Sequence, residues 1–311
     1  MNSKILPQHK WINFSLFLLL ALLWSGSYIN IKIVVDTLPP IFCAMMRALI
    51  SLIFLSGLFI VMRKKVFVPK PIYWRLWIAG LFTQALPFAL LFFGEKFIAP
   101  ALAGIINSTV SIWSLMLGTL IFRDFTQWTP LKVTGIVSGF IGIMIVFLPF
   151  IHGSENSLIG IIAVMAMAIS YAVGGLINQH IIFKTMQVTF ETNLIQQHLA
   201  SVLFLLATSL VLEHWPPISH LFNIGIVLAF LYLGVVSTSI AWMIYFYLIK
   251  EWGAVRTVSV MYIVPVLAII WDVVFLHLIP ARNELIGMLA ILIGVVLIQW
   301  VRRPDTHISQ P

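Results

Sequence analysis

The stretch PALAGIINSTVSIWSLMLGTLIFRD, residues Pro100 to Asp124, occurs a second time in altered form as AVRTVSVMYIVPVLAIIWDVVFLHL, residues Ala254 to Leu278. Each copy follows a short charged break and precedes a polar link and a glycine-bearing apolar helix. The chain therefore divides into two halves of about five apolar spans each. An odd number of spans reverses the direction in which the second half enters the bilayer. Inverted repeats of this kind are typical of secondary transporters, whose substrate site lies near the membrane midplane.

The composition excludes a soluble protein. Of the 311 residues, 61% are hydrophobic and 9% are charged, and the mean hydropathy is +1.07. A soluble domain carries about 25% charged residues. The net charge of +8 is spread over short loops, so it predicts membrane topology rather than a nucleic-acid partner. The single cysteine, Cys43, excludes an intramolecular disulfide and a cysteine-based metal site.

Ten transmembrane spans are predicted, because a helix needs about 20 apolar residues to cross a bilayer. The apolar run from Phe14 to Trp24 resembles a signal peptide, but it continues to Val35 and is better interpreted as the first span. Residues 1–150 and 151–311 are the predicted repeats. The spans cover about residues 13–35, 40–62, 73–93, 98–121, 130–150, 158–179, 190–212, 222–248, 254–277 and 283–301.

The distribution of lysine and arginine sets the orientation. With the N-terminus in the cytoplasm, all but four of the 18 cations lie inside: Lys32, Lys96 and Arg282 lie outside and Arg47 lies within a span. Cytoplasmic loops carry an excess of these cations. The sequence therefore predicts an all-α, multi-pass protein of the cytoplasmic (inner) membrane with both termini in the cytoplasm.

Several segments resemble the drug/metabolite transporter superfamily, EamA type. ALLWSGSYINIK (Ala21 to Lys32) is similar to the first helix of that family, and LPPIFCAMMRALISLIFL (Leu38 to Leu55) is similar to its second helix, with Arg47 at the typical arginine. NSTVSIWSLMLGTLIFRD (Asn107 to Asp124) resembles the motif that recurs in each half. The resemblance covers about residues 13–301.

The second copy of the recurring motif keeps the proline usual in the family, Pro265, whereas the first copy has Ser111. Asp124 replaces the usual glutamate, and Leu278 replaces it in the second copy. The resemblance implies ten helices in two inverted five-helix repeats. It also implies carriage of small metabolites, often amino-acid export.

Polar side chains deep in the spans are the candidates for a substrate site, because an ionisable side chain at the centre of a bilayer costs about 2.5–3.5 kcal/mol on insertion scales. Arg47 lies roughly 10 Å into the second span. It is predicted either to neutralise a substrate carboxylate or to act as a structural arginine. Gln197 lies opposite Arg47 in the repeat alignment, as cavity lining or as an interhelical hydrogen-bonding residue.

His198 is the side chain best suited to carry a coupling proton, since all ten carboxylates fall in loops, tails or near helix ends. The alternative is a neutral, hydrogen-bonded histidine. Asp272 is predicted to be an interfacial carboxylate or a gate at the outer mouth, and Lys32 and Asp36 to form a local ion pair.

Aromatic residues at matched positions of the two repeats suit a cavity for an apolar or cationic group. Pro87 and Pro265 interrupt their spans and are predicted hinges for alternating access. The predicted cavity lining comprises Trp24, Tyr28, Arg47, Gln84, Phe88, Asn107, Tyr171, Gln197, His198, Trp242, Tyr245 and Tyr262.

The leading hypothesis is a secondary transporter of a small organic solute, most consistent with an amino acid or related zwitterion and with export. Export of drug-like cations, lipid scrambling and a membrane-embedded enzyme remain as alternatives. No phosphate-binding loop, zinc-protease motif or catalytic triad spacing occurs in the sequence. ATP-driven transport is therefore not predicted, and no cofactor or metal site is predicted either. The substrate, the coupling ion and the oligomeric state stay open.

Overall fold

The computed structural model describes residues 7–64, 66, 73–123, 128–147, 155–178, 188–252, 257 and 259–299. These residues contain no strand and form ten successive helical spans. Asp124, Arg302 and Arg303 lie outside the described residues. The spans are α1 (Pro7–Val35), α2 (Pro40–Val61), α3 (Tyr73–Gly80, Leu81–Ala85 and Leu86–Glu95), α4 (Pro100–Asn107 and Val110–Phe122), α5 (Pro130–Phe147), α6 (Glu155–Ile177), α7 (Phe190–Leu212), α8 (Ile224–Leu231, Tyr232–Ile240 and Ala241–Trp252), α9 (Ser259–Tyr262, Ile263–Trp271 and Asp272–Leu276) and α10 (Arg282–Gln299).

Length and composition suit these helices to a bilayer. Seven helices in the described part of the chain, α1 to α4 and α6 to α8, are long and apolar enough to cross a membrane, and α5 and α9 contain shorter apolar helices. Large apolar side chains such as Ile60, Val61 and Val211 are about four-fifths exposed on outer faces of the bundle. Helices that are apolar on every side belong in a large core or in a membrane. The predicted all-α, multi-pass architecture is thereby confirmed.

The helix starts follow from local sequence. α2 begins at Pro40, whose fixed φ and missing N–H suit the first turn of a helix. Thr189 precedes α7 and accepts a hydrogen bond from the Thr192 backbone N–H. Asn223 precedes α8, and its side-chain oxygen accepts a hydrogen bond from the Gly225 N–H at 2.9 Å. These caps satisfy backbone groups that have no partner within the helix.

Helix contacts are distributed evenly between the two halves of the chain. α1 packs against α8 and α9, and α6 packs correspondingly against α3 and α4. α2 contacts α8, and α7 contacts α3. α2 also packs along α7, and α5 packs along α10. Exchanging the first five helices for the last five therefore maps these contacts between the halves onto one another.

Glycines allow α5 and α10 to approach backbone to backbone. A methyl group added at Gly135 would lie 2.6 Å from the Gly294 carbonyl oxygen, and one added at Gly142 would lie 2.6 Å from the Gly287 carbonyl oxygen. Ser138 Oγ donates to the Ala290 carbonyl at 2.8 Å across the same interface. Small residues at such spacing let membrane helices pack closely.

Four helical spans depart from regular α-helix; the sequence predicts an interruption in α3 and α9, at Pro87 and Pro265, but none in α4 and α8. α3, α8 and α9 contain π-helical segments at Leu81–Ala85, Tyr232–Ile240 and Asp272–Leu276. α4 is divided at Ser108 and Thr109, between its two helical parts. In a bilayer such irregular backbone is tolerated where it is buried in protein or lines a cavity. The interruptions therefore indicate where in the bundle a site can lie.

Candidate functional site

Arg47 on α2 is buried in the interior of the bundle. Its Nε donates to Thr238 Oγ1 on α8 at 2.8 Å, and its guanidinium carbon lies 4.3 Å from the centre of the Phe88 ring on α3. Among the described residues, no carboxylate oxygen lies within 4.0 Å of an Arg47 nitrogen. A ring face and a hydroxyl stabilise the cation but do not neutralise it. The guanidinium can therefore still bind an anionic group.

Tyr28 and Asn107 meet beside the division of α4. Asn107 Nδ2 donates to the Tyr28 hydroxyl at 2.8 Å, and Tyr28 is buried. Asn107 is the last residue before the irregular Ser108 and Thr109. Gly104 lies beside the pair: a methyl group added there would make ordinary van der Waals contact with the Tyr28 ring, at 3.6 Å. Discontinuous helices with exposed backbone dipoles commonly form substrate sites in transporters.

An aromatic cluster joins α1 to α8. The Trp24 ring centre lies 6.3 Å from that of Trp242 and 5.3 Å from that of Tyr245. Phe246 stacks on Trp242 at 5.6 Å, and Phe190 lies 4.2 Å from Phe246. Phe246 was not among the predicted lining residues, although its spacing of four from Trp242 places both on one face of a helix.

Tyr171 on α6 is only partly buried and packs against the core. Its hydroxyl is within electrostatic reach of the Arg47 guanidinium, as are the side chains of Tyr28, Glu95 and Tyr232. Four of the predicted lining residues, Arg47, Phe88, Tyr28 and Tyr171, thus belong to one interior region, built by α1, α2, α3 and α6.

Gln84, Gln197 and His198 hold α3, α6 and α7 together. Thr83 Oγ1 donates to Gln197 Oε1 at 2.6 Å, and Gln197 Nε2 donates to Asn178 Oδ1 at 2.8 Å and to Asn193 Oδ1 at 2.6 Å. His198 Nδ1 lies 2.8 Å from the Leu194 carbonyl oxygen and 3.1 Å from Gln84 Nε2. The structure therefore places Gln197 in an interhelical hydrogen-bond network.

Tyr262 connects two helices, and the two prolines lie where a helix changes its hydrogen-bond pattern. The Tyr262 hydroxyl donates to the Val295 carbonyl on α10 at 3.2 Å. Pro87 follows the π-helical segment of α3, and Pro265 follows the 3₁₀ turn that opens α9. Both prolines thus occupy positions where the backbone changes its hydrogen-bond pattern.

Glu95 and Asp272 lie near helix ends, as the sequence predicts, but both are buried. Glu95 is 0% exposed and Asp272 is 2% exposed. Asp272 Oδ2 accepts a hydrogen bond from the Ala101 N–H at 2.8 Å, which caps the start of α4. The sequence analysis did not predict this burial, because it depends on the packing of the neighbouring helices. The predicted Lys32–Asp36 ion pair is confirmed at 2.8 Å.

A second carboxylate cap lies at the same end of the bundle, which is the predicted outer end. Glu213, just after α7, accepts from the Ile41 N–H at 2.8 Å and the Phe42 N–H at 2.7 Å, at the start of α2. A cavity of about 560 Å³ opens beside it, with Asp36, Lys96 and His214 in its walls. None of the twelve predicted lining residues borders this cavity.

A sequence model of the EamA-like transporter family matches residues 11–148 and, a second time, residues 158–300. The chain belongs to the EamA-like transporter family. A relative from Salmonella typhimurium, named as a probable amino-acid metabolite efflux pump, is 26% identical over 286 residues, covering 91% of this chain and 93% of the relative. The Escherichia coli protein of the same name is 23% identical over 286 residues, again 91% of this chain and 93% of that protein.

An uncharacterized transporter encoded in the trpA 3′ region of Buchnera aphidicola is 28% identical over 263 residues, which are 83% of each chain. One solved crystal structure has a TM-score of 0.63 and 20% sequence identity, covering 92% of this chain and 95% of that chain. At this identity the structural likeness shows a shared fold. The EamA-like chain is therefore a multi-pass membrane transporter, which acts on a small-molecule substrate within a lipid bilayer.

Proposed function

We propose that this EamA-like transporter exports an amino acid or a closely related zwitterion across the cytoplasmic membrane. The observation that carries the proposal is Arg47, a buried cation with no carboxylate within ion-pair distance among the described residues. A buried charge without a counter-ion is costly, and a substrate carboxylate would supply that counter-ion through paired N–H···O hydrogen bonds. The names of the two efflux-pump relatives support the same substrate class.

Aromatic rings supply the second half of a zwitterion site. Trp24, Trp242 and Tyr245 form one cluster between α1 and α8. Their faces attract an ammonium group, and their area suits an apolar side chain. The same cluster favours a second candidate function, export of aromatic or drug-like cations, in which Arg47 would have only a structural role.

Alternating access is the proposed mechanism. Contacts between the halves correspond in pairs, α1–α8 with α6–α3 and α2–α8 with α7–α3, which supports two inverted five-helix repeats at residues 1–150 and 151–311. Arg47, Tyr28 and Phe88 are buried, so a solute reaches them only after helices move. Movement of one repeat against the other would open the site to each side in turn. Pro87 and Pro265, at changes of helical geometry, are the proposed hinges.

The test compares ligands that differ only in the carboxylate. We expect phenylalanine to raise the thermal unfolding midpoint of the purified transporter and phenethylamine to leave it unchanged. A ligand present at 100 times its Kd stabilises the folded protein by about 2.7 kcal/mol. Leucine and isoamylamine provide a second pair with an aliphatic side chain.

Arg47→Gln should remove the response to the amino acids, whereas Arg47→Lys should retain part of it because the charge remains. Arg75→Gln is the matched control, since Arg75 also stacks on a ring, that of Trp74, at 5.2 Å. Equal stabilisation by the acid and the amine in the unmodified protein would reject the carboxylate site and favour the cation exporter.

A further inference from the structure

Glu95 is the last residue of α3 and is completely buried. Neither of its carboxylate oxygens has a hydrogen-bond partner among the described residues. Its backbone carbonyl, in contrast, accepts a hydrogen bond from Lys32 Nζ at 3.2 Å. A buried carboxylate without donors is costly if it is ionised. Some bound species, or a proton, must therefore satisfy this group.

Asp272 is a second buried acid at this end of the bundle. Its Oδ2 accepts from the Ala101 N–H, while its Oδ1 is buried and has no partner among the described residues. Ala101 lies six residues after Glu95, just past the turn between α3 and α4, so the contact brings the two acids to one end of the bundle. The Asp272 carboxylate is also within electrostatic reach of Glu95.

The other charged and titratable groups around Glu95 contact side chains other than its carboxylate. On α1, Lys32 pairs with Asp36 at 2.8 Å, and the Tyr28 hydroxyl accepts from Asn107. On α2, Arg47 donates to Thr238 and lies over Phe88. On α6, the Tyr171 hydroxyl is within electrostatic reach of the Arg47 guanidinium. No described cation forms an ion pair with either acid.

We propose that Glu95 and Asp272 together form the proton-binding site that couples this transporter to the proton gradient; the inference rests on the proposed transport function. A buried carboxylate that lacks a counter-ion favours its protonated form, and a neighbouring acid favours that form further, so that the two titrate as a pair. The proton adds to a lone pair of one carboxylate oxygen, forming an O–H bond, and leaves to water on the opposite side. No other bond forms or breaks.

The Asp272 cap connects this proton to the movement of the two halves. Asp272 belongs to α9 in the second half, and Ala101 belongs to α4 in the first half. An ionised carboxylate is a much stronger acceptor for a helix N-terminus than a protonated one. Protonation therefore weakens a contact between the halves, and ionisation restores it.

An infrared titration of the purified protein tests the site without any substrate. We expect the carbonyl absorption of a protonated carboxylic acid in the unmodified protein, lost as the pH rises and reduced in Glu95→Gln and in Asp272→Asn. Asp36→Asn is the matched control, because the Asp36 side chain is 54% exposed and paired with Lys32. Glu95→Asp keeps an acid and should retain the absorption. An absorption of unchanged size in both Glu95→Gln and Asp272→Asn would overturn the proposal.

Transport in liposomes tests the coupling. With radiolabelled phenylalanine as the probe, Glu95→Gln should exchange internal for external solute as the unmodified protein does, but it should lose accumulation driven by a pH gradient. An unmodified protein that exchanges phenylalanine and ignores a pH gradient, or responds to a sodium gradient instead, would overturn the proton site and leave the proposed function intact. Absence of exchange for every amino acid tested would contradict the proposed function, and the infrared titration then decides the proton site alone.

Discussion

Thr238 holds the buried Arg47 side chain in place by a hydrogen bond. Its hydroxyl accepts from Arg47 Nε at 2.8 Å and donates to the Leu233 carbonyl at 2.6 Å. One side chain thus anchors the buried cation to the π-helical segment of α8. A hydroxyl can do this without neutralising the guanidinium, which keeps the positive charge available for a ligand.

Thr238→Val should lower the stability of the transporter, because valine keeps the shape of threonine and leaves Arg47 Nε buried without an acceptor. The expected loss is about 1–3 kcal/mol, the cost of an unsatisfied buried donor. Thr208→Val is the matched control: Thr208 also donates to a backbone carbonyl, that of Phe204 at 2.8 Å, but it lies on an exposed part of α7. Thermal unfolding midpoints in one detergent compare the two. A loss of similar size in both variants would contradict a special role for the contact with Arg47.

Sequence alone could identify Arg47 but not the buried acids. Arg47 is deep because it lies well inside a long apolar span, and distance from the span end is readable from the sequence. Glu95 and Asp272 lie near span ends, and only the packing of neighbouring helices buries them. Depth relative to one helix is a local property, whereas burial depends on the arrangement of all of them.

At the scale of helices, the interface between α5 and α10 depends on glycine. A methyl group at Gly294 would contact the Gly135 carbonyl oxygen and lie 2.8 Å from the Gly139 nitrogen. Backbone atoms cannot move aside as a flexible side chain can. Gly135, Gly139 and Gly142 form a stripe of small residues that is visible in the sequence of α5, and the structure shows that α10 packs against it.

Gly294→Ala should therefore destabilise the protein by about 1–3 kcal/mol, the usual cost of overpacking. Gly57→Ala on α2 is the matched control, since no heavy atom lies within 4 Å of the added carbon there. Alanine in a helix interior is favoured over glycine by roughly 0.5–1 kcal/mol, so this control should be slightly stabilising. Shifts of the same sign in the two unfolding midpoints would be inconsistent with the close α5–α10 packing.

The helix interruptions illustrate a second limit of prediction. Pro87 signals a weak point in α3, because proline cannot donate a backbone hydrogen bond. α8 has no proline at the corresponding place, yet it contains a longer π-helical segment. There Ser237 and Ser239 donate from their hydroxyls to the carbonyls of Leu233 and Gly234. Serine has many roles in membrane helices, so this signal is weaker in the sequence than a proline.

At the scale of the whole molecule, charged side chains tie the two halves together at helix ends. Glu213 and Asp272 each belong to a second-half helix and cap a first-half helix, α2 and α4 respectively. At the other end of α2, Lys64 pairs with Glu191 of α7 at 3.0 Å. α2 and α7 are thus tied at both ends. The two carboxylate caps connect the halves at the predicted outer end.

The orientation of the bundle can be tested with two reporters that work on opposite sides of the membrane. Because most cations lie in the loops assigned to the cytoplasm, a fluorescent protein that folds only there should fluoresce when it is fused after Pro311. The same reporter fused after His220, in the link between α7 and α8, should stay dark. Alkaline phosphatase, active only outside, should give the reverse pattern at both positions. Fluorescence after His220 together with phosphatase activity after Pro311 would place Glu213 and Asp272 at the cytoplasmic end, and protonation of the acidic pair would then respond to the internal pH.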